Sequence, residues 1–177
     1  MWTSITVGFI FAFPFILWEI WKFISPALYE KEKKYAASFI IISSILFFVG
    51  VLFGYYLIAP LSVQFFASYI VSPEISNSID IDSYISLMKT SAIASGLLFE
   101  LPIIIFFLTK IGLVTPEFLR KYRKYTLVIV LIVAAVITPP DVLSQIIVTI
   151  PIMILYEASI LISVLVVKSQ EREKLKA

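Results

Sequence analysis

The chain contains no cysteine and no histidine in 177 residues. Without thiols it forms no disulfide and offers no thiolate. Without imidazole it lacks the side chain whose ordinary pKa suits proton transfer near neutrality, and the usual soft metal ligands are missing with both. Most catalytic constellations are excluded, and neither a metal site nor a bound cofactor is expected. Charge is scarce as well: 15% of residues are Asp, Glu, Lys or Arg, against about 25% in a typical soluble domain, while 60% are hydrophobic. No GxSxG or HExxH site occurs, and the Pro14 and Pro102 segments do not repeat each other as the paired broken helices of a secondary transporter do. What the sequence does have is lipid-compatible length.

Crossing about 30 Å of hydrocarbon at 1.5 Å per residue takes about 20 apolar residues. Five runs approach that requirement: 5–25, 35–59, 85–113, 125–138 and 142–167, with an outer loop over 60–84 and a charged tail over 168–177. The expected fold is therefore an all-α polytopic membrane protein, a single transmembrane domain over 1–167. The fourth run reaches only about 21 Å as a helix before Pro139 and Pro140 stop it, so the bilayer thins beside it or neighbours shield its ends. The turn Thr138-Pro139-Pro140-Asp141 folds runs four and five into an antiparallel hairpin, with Asp141 placed to cap the last helix. The outer loop mixes Phe65, Phe66 and Tyr69 with the polar stretch SPEISNSIDIDS and reads as an interfacial cap.

Orientation follows from the bases. Lys22, Lys31, Lys33 and Lys34 lie between runs one and two, Lys110, Arg120, Lys121, Arg123 and Lys124 between three and four, and Lys168, Arg172, Lys174 and Lys176 in the tail. That places 13 of the 14 Lys and Arg on one side, the side expected to be cytoplasmic. Five spans with a cytoplasmic tail put Met1 outside, although MWTSITVGF has no charged flank and no cleavable signal. The topology leads to the expectation of a sixth, preceding helix and of both termini in the cytoplasm.

Polar residues inside such a chain are the candidates for function. Glu100 interrupts SGLLFELPIIIFF, where a carboxylic acid costs about 2.5 to 3.5 kcal/mol at a span centre. Pro102 removes the donor that bonds the carbonyl of Leu98, so a bend beside the acid is expected. A protonated glutamate bonded within the bundle, a water-drawing notch that thins the bilayer, and a docking point for a polar group on a partner's helix are all consistent with it. Gln145 sits one turn into the last run and is placed to bond across helices for about 0.6 to 2 kcal/mol. Glu19 and Glu157 lie near the basic ends, where snorkelling explains them. Ser91, Ala92, Ser95 and Gly96, with Ala134 and Ala135, read as helix-packing surfaces.

The loop PALYEKEKK sets Glu30 and Glu32 among lysines at the basic mouth of two helices. In one reading Glu30 pairs with Lys34 at i,i+4 and the lysines set topology. In the other the acids face a cationic ligand, because a carboxylate accepts two parallel hydrogen bonds from a planar guanidinium in a geometry that Lys cannot match.

Three stretches carry a resemblance. FPFILWEIWKFISPALYEKEKK (13–34), SGLLFELP (95–102) and RKYRKYTLVIVLIVAAVITPPDVLSQIIVTIPIMILYE (120–157) resemble the TatC family, the signal-peptide receptor and core of the twin-arginine protein translocase. The likeness runs from about residue 8 to 162, and TPPDVLSQ followed by P-x-x-x-L-Y-E is its most specific part. The family's first cytoplasmic segment, first helix and first outer loop have no counterpart here; Ser95 stands where Phe is frequent, and Lys33 and Lys34 where Arg is frequent. The resemblance implies a non-enzymatic receptor in the cytoplasmic (inner) membrane, dependent on the proton-motive force. Its partners would be twin-arginine signal peptides of folded precursors, single-span TatA and TatB subunits, further copies of itself and membrane lipid, with no nucleic acid. It maps the main guanidinium contact to Glu32, with Glu30, Phe23 and Leu28 alongside, and makes Glu100, Gln145 and Glu157 polar points for partner docking. Two other classes are weighed against it: a channel or proton-coupled transporter with Glu100 as its titrating site, and a structural scaffold indifferent to Glu32 and Glu100.

Overall fold

The computed structural model describes residues 1–24, 36–68, 80–139 and 141–174, and every element in them is helical. The first is α1 (Trp2–Ile24). Then α2 (Ala36–Phe53) runs through one π-helical turn (Gly54–Ile58) into α3 (Ala59–Ser68). Next come α4 (Ile81–Phe99) and α5 (Leu101–Lys110), the short α6 (Pro116–Lys121), α7 (Arg123–Ile137) and the long α8 (Val142–Lys174). The chain is an all-α polytopic membrane protein. Four stretches are long and apolar enough to cross a bilayer: Trp2–Phe23, Ser38–Ser68, Ile81–Lys110 and Val142–Arg172. With 15 residues, α7 reaches about 22 Å and does not meet that length by itself.

Helix extends into both ends of the 60–84 stretch expected as an outer loop, and residues 69–79 lie outside the described residues. Pro60 reads as a stop signal, since its ring meets the carbonyl four residues back and it has no N–H to donate. The π turn absorbs both problems: the Ala59 N–H reaches back five residues to the Gly54 carbonyl, and the helix continues to Ser68. On the far side α4 starts at Ile81 rather than near residue 85, with Asp80 at its N-cap position. Glu100 consequently lies off centre. It is about 28 Å along the helix from Ile81 and about 15 Å from Lys110, nearer the basic end than equal distances would place it.

The expected bend at Pro102 is present. Helix α4 closes on Glu100 at φ −77°, ψ −4°, with the Glu100 N–H tightened onto the Leu97 carbonyl at 3.2 Å. The Glu100 carbonyl then accepts from both Ile103 and Ile104 at 3.0 Å to start α5. One broken helix thus replaces a straight span, with the acid at the break.

Three apolar clusters hold the bundle. Phe13, Leu17 and Trp21 of α1 pack on Ile40 and Phe47 of α2, and Phe13 stacks on Phe47 with centroids 3.5 Å apart. Ile58, Val130, Ala134, Val148 and Ile152 join the π turn to α7 and α8. Ile105, Leu119, Tyr156 and Ile160 lock α5 and α6 onto α8. The outward faces of α1, α7 and α8 remain apolar, as lipid contact requires.

Candidate functional site: an acid at a glycine-lined helix crossing

The crossing of α2 with α4 places Glu100. Ser43, Phe47, Gly50 and Gly54 recur at spacings of four, three and four, and so share one face of α2 and its π turn. They run antiparallel to Glu100, Gly96, Ser95 and Ser91. A Cβ built on Gly50 would lie 2.7 Å from the Ser95 carbonyl oxygen, and one on Gly54 only 2.3 Å from that of Ser91. One on Gly96 would meet the Phe47 ring at 2.8 Å. Backbones approach this closely only where side chains are absent, the packing that small residues permit in a membrane. The small face read in the sequence at Ser91, Ala92, Ser95 and Gly96 is buried here. Of the second pair, Ala134 is buried and Ala135 faces outward.

At the end of this seam the Ser43 hydroxyl donates to Glu100 Oε2. The carboxyl is buried, and Oε1 has no hydrogen-bond partner among the described residues. Its burial and single donor leave the acid with unused acceptor capacity in an apolar bundle. A hydroxyl or amide N–H entering this notch would find an acceptor already held in place.

The α7–α8 hairpin gathers a second set. Asp141 Oδ2 accepts from the Ser144 N–H and from the Ser144 hydroxyl, each at 2.9 Å, capping α8 as its position predicts. These bonds, the backbone one first, hold its carboxyl below the usual aspartate range. Pro139 is buried beside it, and its carbonyl accepts from the Asp141 N–H at 2.7 Å. Gln145 Nε2 donates to the Leu131 carbonyl at 2.8 Å, so the expected interhelical bond ties the two arms of the hairpin. Thr138 turns inward to the Ala134 carbonyl at 2.8 Å, and Thr149 to that of Gln145 at 2.7 Å.

Glu157 does not join either set. It lies 12 residues beyond Gln145, about 18 Å along α8, half exposed and paired with Arg123 at 2.6 Å. Snorkelling is thus replaced by an ion pair at the basic end. Glu19 is exposed and paired with Lys22 at 2.8 Å. Phe23 stands exposed at the last turn of α1. Leu28, Glu30, Glu32 and Pro140 lie outside the described residues. Ser43 is not among the residues the sequence singles out, and it carries no local signal apart from its place on the glycine stripe. Tyr156 lies in the P-x-x-x-L-Y-E segment, but that pattern does not announce its role: the side chain is buried, with its hydroxyl on the Leu119 carbonyl at 2.8 Å.

Residues 1–151 match the family described as the Sec-independent protein translocase protein TatC. The Blattabacterium (strain BPLAN) protein TatC is 46% identical over 96% of this chain and 64% of its own length. TatCy of Bacillus subtilis (strain 168) is 45% identical over 89% of this chain and 62% of its own. TatC of Halalkalibacterium halodurans is 40% identical over 98% and 69%. The chain thus spans a little under two thirds of the first two relatives. A crystal structure of the twin-arginine translocase receptor TatC superposes with a TM-score of 0.73 at 39% identity, covering 93% of this chain and 72% of that one.

Proposed function

Because the chain belongs to the TatC family, we propose that it acts as the membrane receptor and core subunit of a twin-arginine translocase, recognising signal peptides and organising export of folded proteins. The observation that supports this reading most is the superposition on a receptor of that name, at a TM-score of 0.73 over 93% of this chain. In this role Glu32 accepts the guanidinium of a twin-arginine signal, with Glu30 beside it and Phe23 and Leu28 offering apolar contacts. The exposure of Phe23 at the end of α1 supports its share of that task. Glu100 and Gln145 serve as intramembrane polar points toward single-span TatA and TatB subunits. The unused acceptor on Glu100 favours that use; Gln145 would first have to release the Leu131 carbonyl. The chain lies in the cytoplasmic membrane with its basic loops and tail in the cytoplasm, and the proton-motive force drives the export step.

The test is discrimination between Arg-Arg and Lys-Lys signals. Glu32→Gln is expected to weaken binding of the Arg-Arg peptide by about 1.5 to 3 kcal/mol, the range for a hydrogen bond to a charged group, and the Lys-Lys peptide much less. Comparing the two peptides removes the repulsion from Lys31, Lys33 and Lys34, which is common to both. Glu30→Gln is the internal control, expected to matter less. An identical loss for both signals would reduce Glu32 to general electrostatics and end the specific-receptor reading of this loop.

A further inference from the structure

Between the broken helix and the hairpin, the basic end of the molecule carries a surface that includes none of the residues assigned above to signal recognition. Helix α6 is fixed by its inner side. Thr115 caps it by accepting the Phe118 N–H at 3.2 Å, Pro116 and Leu119 are buried, and the Leu119 carbonyl is held by Tyr156. Its outer side shows aromatic rings in series. Phe118 and Tyr122 lie with centroids 4.4 Å apart, Tyr122 and Tyr125 5.6 Å apart, and Tyr125 is 65% exposed. Arg120, Lys121 and Lys124 stand exposed among them and form no ion pair with a described residue; Lys121 lies over the Tyr122 ring at 6.0 Å. Glu117 is the acid on the same helix, and Arg123 is already committed to Glu157. Three bases therefore remain against one acid.

A solvated basic face does not need three exposed aromatic rings, and an ordinary lipid-facing helix does not carry three unpaired bases. The two together fit the headgroup layer, where Tyr rings sit with their polar tips wet and cations meet phosphate. The surface also continues downward. From Phe118 and Tyr122 the exposed positions run through Tyr125, Ile129, Ile132 and Val136 at alternating steps of four and three. Tyr125 to Val136 spans about 16 Å, close to the hydrocarbon depth of one leaflet. Apolar stripe and basic head have the proportions of a phospholipid.

We propose that Arg120, Lys121 and Lys124, with Phe118, Tyr122 and Tyr125, form a binding site for the headgroup of an anionic phospholipid in the leaflet next to the basic loops, its acyl chains lying along Ile129, Ile132 and Val136. Arg120 supplies the planar fork that suits phosphate, and the lysines supply point charge. This site does not depend on the signal-peptide reading.

The experiment is native mass spectrometry of the purified full chain in micelles doped with phosphatidylglycerol or phosphatidylcholine. Wild type is expected to retain phosphatidylglycerol in preference. Arg120→Gln/Lys121→Gln/Lys124→Gln is expected to bind it about a hundred-fold more weakly, the product of three lost surface charges. Lys168→Gln/Arg172→Gln/Lys174→Gln removes the same charge from the tail and is expected to leave retention close to wild type. Equal loss in both triple variants would reduce the effect to a general positive field and overturn the site. So would displacement of the lipid by millimolar glycerol phosphate, which would mark a free-phosphate site, or unchanged lipid retention with loss of an acidic peptide, which would mark a protein-docking surface.

Discussion

Replacing Gly54 by alanine tests the seam that positions Glu100. The new Cβ would lie 2.3 Å from the Ser91 carbonyl oxygen, 2.7 Å from the Ser91 carbonyl carbon and 2.8 Å from Ala92 Cα, all backbone atoms. None can rotate away, so α2 and α4 must part by about 1 Å to restore ordinary contact, and a gap of that size forfeits about a quarter to a half of each neighbouring dispersion well. Overpacking of this kind costs about 1 to 3 kcal/mol, and the backbone partners argue for the upper half. Alanine returns about 0.5 to 1 kcal/mol through its better helix propensity. The net expectation is a loss of about 1 to 2 kcal/mol. Gly8 supplies the control, since a Cβ there meets nothing within 4 Å and only the propensity gain remains. Gly96→Ala should fall between the two, because the atoms it meets belong to the side chains of Phe47 and Val51, which can shift. Unfolding of the purified variants by increasing SDS in mixed micelles reads the order directly. If Gly54→Ala unfolds at the same denaturant fraction as Gly8→Ala, the close crossing is wrong, and with it the account of how Ser43 reaches Glu100.

Two further expectations concern single side chains. Ser43→Ala should cost about 0.6 to 1.7 kcal/mol, the range for interhelical bonds in membranes, and Glu100→Gln should keep most of the bond because its amide oxygen still accepts; equal stability of Glu100→Gln and Glu100→Ala in the same unfolding assay would show that the bond contributes nothing. Asp141 has a carboxyl held below its ordinary range in the folded state, so its contribution is complete above the unfolded value of about 3.9 and disappears as pH falls through the lower folded value; the stability gap between wild type and Asp141→Asn should therefore narrow only in acid, and a gap that stays constant from pH 7 to pH 2 would remove the charged cap.

What the sequence disclosed divides by the range of the interaction. The bend at Pro102, the cap at Asp141 and the hairpin are set within a few residues, and each is found where local rules place it. The Gln145 bond spans 14 residues across a tight turn, short enough to anticipate from the hairpin alone. The start expected for the 60–84 stretch differs from the observed helix for a local reason too, since Pro60 normally stops a helix and nothing nearby announces that a π turn will accommodate it. The Ser43 to Glu100 bond spans 57 residues and the Arg123 to Glu157 pair 34, and neither is visible without the packing. Periodicity does not help, because α2 is apolar on all sides and a lipid-facing position looks like a buried one.

The same division explains why Glu100 Oε1 is left without a hydrogen-bond partner among the described residues. Hydroxyls in an apolar helix can turn back to the carbonyl of the preceding turn, as Ser62, Thr138, Thr149 and Ser159 do here. The Ser44 and Ser91 hydroxyls have no partner among the described residues, yet each is neutral and has that escape by rotation about one bond. A carboxyl oxygen has no such recourse, because the backbone N–H groups that could serve it are already spent in the helix. At the break the Glu100 N–H is itself spent on the Leu97 carbonyl, and Pro102 has no N–H to offer. Among the described residues only Ser43 donates to this carboxyl, so Oε1 is left without a donor, and a hydroxyl or amide brought in on another helix would gain a bond there.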